Sequence, residues 1–258
     1  MPLGRFDFDV LSGQLATLYP ELINMLVFVG DIHGEFVELI EKLAGTGIEK
    51  SSFIQVGDFG LGFKSQETES AELENINTVL AASENMLYVI RGNHDNPNYF
   101  NNTSNYSNIQ FLPDYSLLTI EGLTILLVGG AISIDRKVRV LNQNYWENEG
   151  FNYNYSLLEK AIEGFDHIDI VVTHEAPTEF HPTELGKLVV SYWIRDRELI
   201  NDVKKERAKL SLLLNSLIGK KLKPKFWYYG HYHTSFVDSF EGIKYRIMAI
   251  NEFFEHRT

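Results

Sequence analysis

Met25-Leu26-Val27-Phe28-Val29, followed by Gly30-Asp31-Ile32-His33-Gly34, sets the grammar of this chain. Five apolar residues in a row read as a buried strand. The strand stops at a glycine and then presents Asp31 and His33 two positions apart. In extended backbone, side chains at i and i+2 share a face, which aims both groups at one point. Gly30 and Gly34 let the chain turn and let a ligand approach without a Cβ in the way. By itself the stretch is equally a strand-end turn with an Asp cap and a solvated histidine, but its pattern recurs.

Phe53-Ile54-Gln55-Val56 ends at Gly57-Asp58, and Met86-Leu87-Tyr88-Val89-Ile90 ends at Arg91-Gly92-Asn93-His94-Asp95. Residues 168–172 run into Thr173-His174, and residues 226–229 into Gly230-His231-Tyr232-His233. Between the strands, residues 35–43 carry Phe36, Val37, Leu39, Ile40 and Leu43 at helical spacing and stop at Gly45 and Gly47. Residues 67–84 read as a second helix, acidic at its start where the macrodipole favours it. Residues 155–165 read as a third, and 182–220 as mainly helical with a break near 191–193. Strand followed by helix is α/β grammar. Runs 115–120 and 123–128, joined by Glu121-Gly122, predict a β-hairpin, and 235–240 with 243–250 around Glu241-Gly242 predict another that closes the chain. Residues 96–108, rich in Asn, Ser, Thr and Tyr, read as a surface loop near the strand ends.

The 258 residues are 44% hydrophobic and 22% charged, the profile of an ordinary globular protein. Without a repeat, low-complexity tract or Pro/Gly/Ser-rich linker, a single domain over residues 1–258 is expected. With 23 basic against 35 acidic side chains the net charge is -12, and the pI is near 5.1. Such a surface repels long nucleic acid and anionic membranes, so neither is expected as a partner. The chain has no cysteine, which excludes disulfides and thiolate metal sites. Residues 1–20 lack the basic start and apolar core of a signal peptide, and no apolar run approaches a membrane span, so a cytoplasmic location is the default expectation.

Five predicted strands thus end in Asp31 and His33, Asp58, Asn93 with His94 and Asp95, His174, and His231 with His233. Ligands of open α/β sheets gather at strand C-termini, so these groups can converge. Five of the eight histidines sit in these turns. The set is all nitrogen and oxygen, which suits Mn²⁺, Fe or Zn²⁺. It also has too many members for one ion, and Asp58 could bridge two. Two close cations clamp the attacking and leaving oxygens of a displacement at phosphorus and lower the pKa of a bound water.

In this order the five blocks resemble the calcineurin-like metallophosphoesterase family, from residue 30 to residue 233, in the manner of its small bacterial and phage members. The resemblance implies a four-layer α/β sandwich of two mixed β-sheets flanked by helices, with a dinuclear site along one edge that hydrolyses phosphomonoesters or phosphodiesters. It implies two divalent metal ions, Mn²⁺ foremost, with Fe, Zn²⁺ or Ni²⁺ as alternatives. Carried over position by position, Asp31, His33 and His233 would bind one metal, Asn93, His174 and His231 the other, and Asp58 would bridge. The family further implies a metal-bridging hydroxide as nucleophile and His94 as general acid, oriented by Asp95. An unperturbed histidine pKa near neutrality suits that task.

One block departs from some relatives. Serine/threonine protein phosphatases and dinucleoside tetraphosphatases follow the second block with Asp-Arg-Gly, whereas Gly57-Asp58 continues here as Phe59-Gly60-Leu61-Gly62. The missing arginine weakens a protein phosphatase reading. Ser133, Asp135, Arg136 and Arg139, after Gly129-Gly130-Ala131, are a candidate replacement, with Arg136 or Arg139 gripping a phosphate oxygen. The alternative pairs both arginines with Glu147 or Glu149 at the surface. Tyr145 and Trp146 either stack on a substrate ring or pack. His167, His181 and His256 read as surface or loop histidines, and Glu35 as a helix N-terminal acid. Glu175 reads as a loop carboxylate, or as a partner that orients His174. Lys204, Lys205, Arg207 and Lys209 read as a solvated helix face rather than an anion site. A catalytically silent scaffold for protein partners is the competing class, and the intact metal blocks argue against it. The expected partner is a small phosphorylated substrate, nucleotides included, and the sequence names no protein partner.

Overall fold

Strands β1 (Leu26–Val29), β2 (Ser52–Gln55), β3 (Met86–Val89) and β4 (Ile109–Phe111) lie side by side and parallel in the computed structural model, which describes residues 24–101 and 103–257. The segment 1–20 considered for a leader lies outside the described residues. A second sheet has the order β5 (Ser116–Ile120), β6 (Leu123–Val128), β7 (Ile170–Thr173), β8 (Phe226–Tyr229), β10 (Ile243–Ile247), β9 (Phe236–Phe240). Its edges are the two antiparallel hairpins β5–β6 and β9–β10. The chain then returns to the first sheet as β11 (Phe253–Glu255), antiparallel to β1. The helices are α1 (Phe36–Gly45), α2 (Gln66–Ala82), α3 (Tyr155–Ala161), α4 (Lys187–Trp193) and α5 (Leu199–Gly219).

Period-two alternation sorts each strand into two cores. Leu26, Phe28 and Ile54 face Ile125, Leu127 and Val172 of the other sheet, and Phe28 stacks on Tyr228 with ring centroids 3.8 Å apart. The alternate residues Val27, Val29 and Phe53 turn outward onto Phe36 and Leu39 of α1 and Ile76 of α2. On the far side, Val171, Trp227 and Tyr229 pack on Leu158 of α3 and Leu210 and Leu214 of α5. Helix, sheet, sheet, helix: the fold is a four-layer α/β sandwich of mixed sheets, as the resemblance implied. Each such large apolar side chain contributes about 1.5–3 kcal/mol on burial.

The hairpins and five core strands match the sequence pattern, while β4 and β11 do not appear in it. Both are three-residue segments, too short to carry a period, and exist because a sheet edge offers them hydrogen bonds. The helix break falls at residues 194–198, just beyond its expected position, and the third helix ends at Ala161 rather than near 165. Among the described residues no helix is long and apolar enough to cross a membrane.

Candidate metal centre

The ends of β1, β2, β3, β7 and β8 meet where the two sheets come together, and their turns are tied to each other by backbone. Ile32 and His33 N–H groups donate to the Asp58 carbonyl at 2.9 and 2.8 Å, and Gly34 N–H to Phe59 O at 2.9 Å. Gly230 N–H donates to His174 O at 3.2 Å. His33, Asp58, His231 and His233 all have left-handed backbone, with φ of 52°, 58°, 68° and 52°. Non-glycine residues hold that conformation only where the surroundings over-determine it. Asp31 and His33 therefore converge through a turn, not through the shared strand face expected of i and i+2. Glycine allows the closest approaches: a Cβ on Gly92 would overlap Asp58 Oδ1, and one on Gly230 would overlap Asp31 Oδ1.

Two groups of donors result, each with its atoms within 4.8 Å of one another: Asp31, His33, Asp58 and His233, and Asp58, His174 and His231. Asp58 belongs to both. Its Oδ2 lies 3.9 Å from His33 Nδ1 and its Oδ1 3.1 Å from His174 Nε2. On the first side His233 Nε2 is 3.4 Å from Asp31 Oδ2 and 2.9 Å from His33 Nε2. On the second, His174 donates from Nδ1 to Val56 O at 2.8 Å, which turns Nε2 toward Asp58. Asn93 Nδ2 meets Ser133 Oγ at 3.2 Å. Among the described residues, buried Asn93 Oδ1 and His174 Nε2 have no hydrogen-bond partner. Orphaned buried polar atoms that converge on a shared carboxylate are what metal ligation satisfies, the cation taking the place of the His174 proton. The donor set fits two divalent cations.

Electrostatics reinforce this. Burial lifts the Asp31 carboxyl well above the ordinary carboxylate range. Burial also opposes ionisation of Asp58, but His174 and His94 outweigh it and hold that carboxyl well below the usual value. Burial disfavours the His174 cation, yet Asp58 and Asp31 carry its pKa up to about 10. Burial pulls His231 down to about 4 and lowers His33 and His233, which leaves neutral imidazoles, the form that binds metal. His94 is likewise drawn down to about 4, by burial and by the Arg139 charge against the pull of Asp58.

The contacts of the groups around this centre bear on the roles that the resemblance implies. Asp95 does not touch the His94 ring. Its fully buried carboxylate accepts from the N–H groups of Gly92 (2.7 Å), Gly60 (2.8 Å), Phe59 and Leu61 (both 3.1 Å), and so pins the second and third turns together. The His94 ring instead stacks on Phe63 at 5.8 Å, while its backbone N–H donates to Asp58 Oδ1 at 2.7 Å. Arg139 reaches the centre: Nη2 lies 2.7 Å from His94 Nε2, and Nε pairs with Asp135 at 2.6 Å. Arg136 does not, because Asp196 (2.6 Å) and Asp202 (2.7 Å) draw it toward α5. Neither arginine pairs with Glu147 or Glu149 as the alternative had it; the buried Glu149 accepts from Ser133 N–H at 2.7 Å. Trp146 is buried and packs edge-on against Phe63.

The remaining singled residues also find their places. Glu175 is buried, accepts from Ala176 N–H and Tyr232 OH, and lies 3.8 Å from His231 Nε2, so it faces His231 rather than His174 or solvent. Arg207 is no solvated face residue: it is buried and donates to the carbonyls of Ala176, Pro177, Phe180 and Pro182, bracing the loop after His174. His256 is buried between the sheets, with Nδ1 2.8 Å from Tyr228 OH. His181 stacks on Phe236, and His167 stays exposed beside Asp166. Sequence reasoning missed Phe63 and Arg207 as parts of this environment, and set Glu175 beside His174 where the contact is with His231. Phe63 had a signal, since it lies five residues after Asp58, directly after the Phe59-Gly60-Leu61-Gly62 stretch.

The description of the calcineurin-like phosphoesterase family matches residues 25–235. A lariat debranching enzyme from Entamoeba histolytica is 25% identical over 240 residues, which cover 84% of this chain and 66% of the relative. Two solved structures align over 88% of this chain with a TM-score of 0.47. One is the phosphopantetheinyl hydrolase of Mycobacterium tuberculosis, at 14% identity over 90% of its own chain. The other is a Staphylococcus aureus protein described as a 5′-nucleotidase, at 12% identity over 48% of its chain. This chain thus spans just under two thirds of the debranching enzyme and about half of the nucleotidase chain. From the strand that opens the first block to the turn that ends the last, the matched region takes in every candidate ligand, and the chain belongs to the calcineurin-like phosphoesterase family.

Proposed function

We propose that this chain hydrolyses small phosphate esters at a dinuclear divalent metal centre, Mn²⁺ in the first instance, as a single domain. The observation that carries the reading is Asp58, whose two carboxylate oxygens face two separate donor groups. Asp31, His33 and His233 would hold one cation, and Asn93 Oδ1, His174 Nε2 and His231 the other, with Asp58 between them. Bound cations supply Lewis-acid polarisation of phosphoryl oxygens and a lowered pKa for bound water.

The chain's own groups do the rest. The Arg139 fork, 2.7 Å from His94 Nε2, is close enough to turn to a phosphate oxygen bound at the centre. That movement takes the guanidinium away from His94 Nε2, a bare acceptor while Arg139 donates to it, and with the Arg139 charge gone the imidazole can take up a solvent proton there and pass it to the leaving-group oxygen. Phe63 holds the imidazole plane while it does so. Ser133 keeps the Asn93 amide turned so that its oxygen, not its nitrogen, faces the centre.

The test strips the protein with chelator, restores Mn²⁺, and follows p-nitrophenyl phosphate beside bis-p-nitrophenyl phosphate. Turnover that returns with the metal is expected, and the ratio of rates assigns monoesterase or diesterase activity. A folded protein that turns over neither ester with any divalent metal would sink the proposal and favour a scaffold.

A further inference from the structure

Beside the metal centre lies a cavity of about 610 Å³, within the range of small-molecule sites and far more than a phosphate group fills. Its two ends differ in chemistry. Asn93, His94, Arg139, His231 and His233 line one part, where a phosphate belongs under the reading above. Ile134, Pro182, Leu188, Val189 and Tyr192 line the other. Most of these come from α4 and the loop before it. Helix α4 packs on α5 and buries none of its seven residues. Leu188, in the lining, is 66% exposed. Apolar side chains held open to solvent at the mouth of a charged site mark a surface that a ligand covers.

We infer that the organic group of the substrate is apolar, an alkyl chain or aromatic ring carried on phosphate, and that Leu188, Val189 and Ile134 form its subsite. The inference rests on the phosphoester reading and narrows it. A sugar or nucleoside would set hydroxyls against these aliphatic walls, where Asp135 is already paired with Arg139, the Tyr232 hydroxyl already donates to Glu175, and the polar groups left on offer are the Tyr192 phenol and Lys187. An unpaired buried hydroxyl lowers affinity by about tenfold or more. An alkyl group instead gains about two- to fourfold per methylene buried. The cations among the lining, Arg139 and Lys187, complement a single anionic head.

Calorimetry of the Mn²⁺-loaded protein with a series of n-alkylphosphonates, methyl to hexyl, reads the subsite without turnover. Affinity should rise about two- to fourfold per methylene, and Val189→Ser and Leu188→Ser should each flatten that slope. A flat series in the wild type, or tighter binding of ribose 5-phosphate than of hexylphosphonate, overturns the inference. So does a wild-type dimer that Leu188→Ser converts to monomer in sedimentation, since a second copy would then be what covers α4. Hydrolysis of p-nitrophenyl phosphate, measured separately, reports on the parent reading. Esters turned over with a flat phosphonate series would remove only the subsite.

Discussion

Asp95→Asn distinguishes a residue that orients the proton donor from one that builds the turn. Each Asp95 oxygen accepts two backbone N–H groups: Oδ1 those of Gly60 and Leu61, Oδ2 those of Phe59 and Gly92. An asparagine presents one oxygen. Whichever way its amide turns, two buried N–H groups face an NH₂ and lose their acceptor. Each buried donor left unsatisfied costs about 1–2 kcal/mol, so the substitution should cost about 2–4 kcal/mol. For a chain of this size that lowers Tm by roughly 5–15 °C. Because the same turns carry Asp58 and Asn93, Mn²⁺ affinity should fall with it. Thermal unfolding by circular dichroism, with chelator and with Mn²⁺, reads both effects. Hydrolysis of aryl phosphates of graded leaving-group pKa supplies the control, because a lost proton donor slows poor leaving groups selectively, as His94→Asn should. Unchanged Tm and metal affinity, with a steeper leaving-group dependence in Asp95→Asn, would refute this reasoning and return Asp95 to His94.

Other substitutions follow from the same contacts. Gly230→Ala drives a Cβ into Asp31 Oδ1, so it should leave the fold cooperative and weaken metal binding at least tenfold; unaltered metal titrations would mean that the turn has room to move. Arg139→Ala should raise KM for phosphomonoesters about 10- to 100-fold, the worth of a charge-assisted hydrogen bond. Arg136→Ala should leave KM alone and lower stability by about 1–3 kcal/mol as Asp196 and Asp202 lose their partner; the reverse pattern of effects would exchange the two assignments. Glu206 on α5 is buried against the N–H groups of Ile132 and Phe151, and burial with the nearby charges of Glu175 and Glu149 lifts its pKa to about 8. The folded protein then keeps a proton that the unfolded chain releases from about pH 4.5. Its stabilisation is whole below that pH and is lost as pH rises through 8. The Tm of Glu206→Gln relative to wild type should therefore climb between pH 6 and 9, by roughly 2–4 kcal/mol in stability, whereas a pH-independent difference would place the titration elsewhere.

Most of the site was legible because its chemistry is local to strand ends. A buried strand announces itself by composition, a glycine ends it, and the next residue faces the sheet's carboxyl edge, so Asp31, Asp58, Asn93 and His231 could be placed from their neighbours. What sequence could not give was direction. Asp95 and Arg136 sit beside candidate site residues, yet their partners come from remote segments: the 59–61 turn for one, Asp196 and Asp202 for the other. The resemblance implied that Asp95 orients His94, and the segment after Gly129-Gly130-Ala131 made Arg136 a phosphate candidate, whereas the contacts tie Asp95 to backbone N–H groups and Arg136 to two carboxylates. Arg207 likewise finds its partners in a remote segment. It lies in a basic run on a helix, and only the loop of Ala176 to Pro182, folding over that face, buries it. The two edge strands escaped because three residues carry no period; α4 falls inside the helical stretch expected over 182–220, and only its exposure was not legible, since a short apolar turn fits a buried helix as well as an exposed one.

The central claim is that Asp58 joins two metal positions, and the amount of metal per chain tests it most directly. Protein loaded with Mn²⁺, desalted and measured by elemental analysis should carry two equivalents, and Asp58→Ala of intact secondary structure should carry almost none. Two equivalents retained in Asp58→Ala, or one in the wild type under saturating Mn²⁺, would contradict the shared carboxylate on which the proposed function stands.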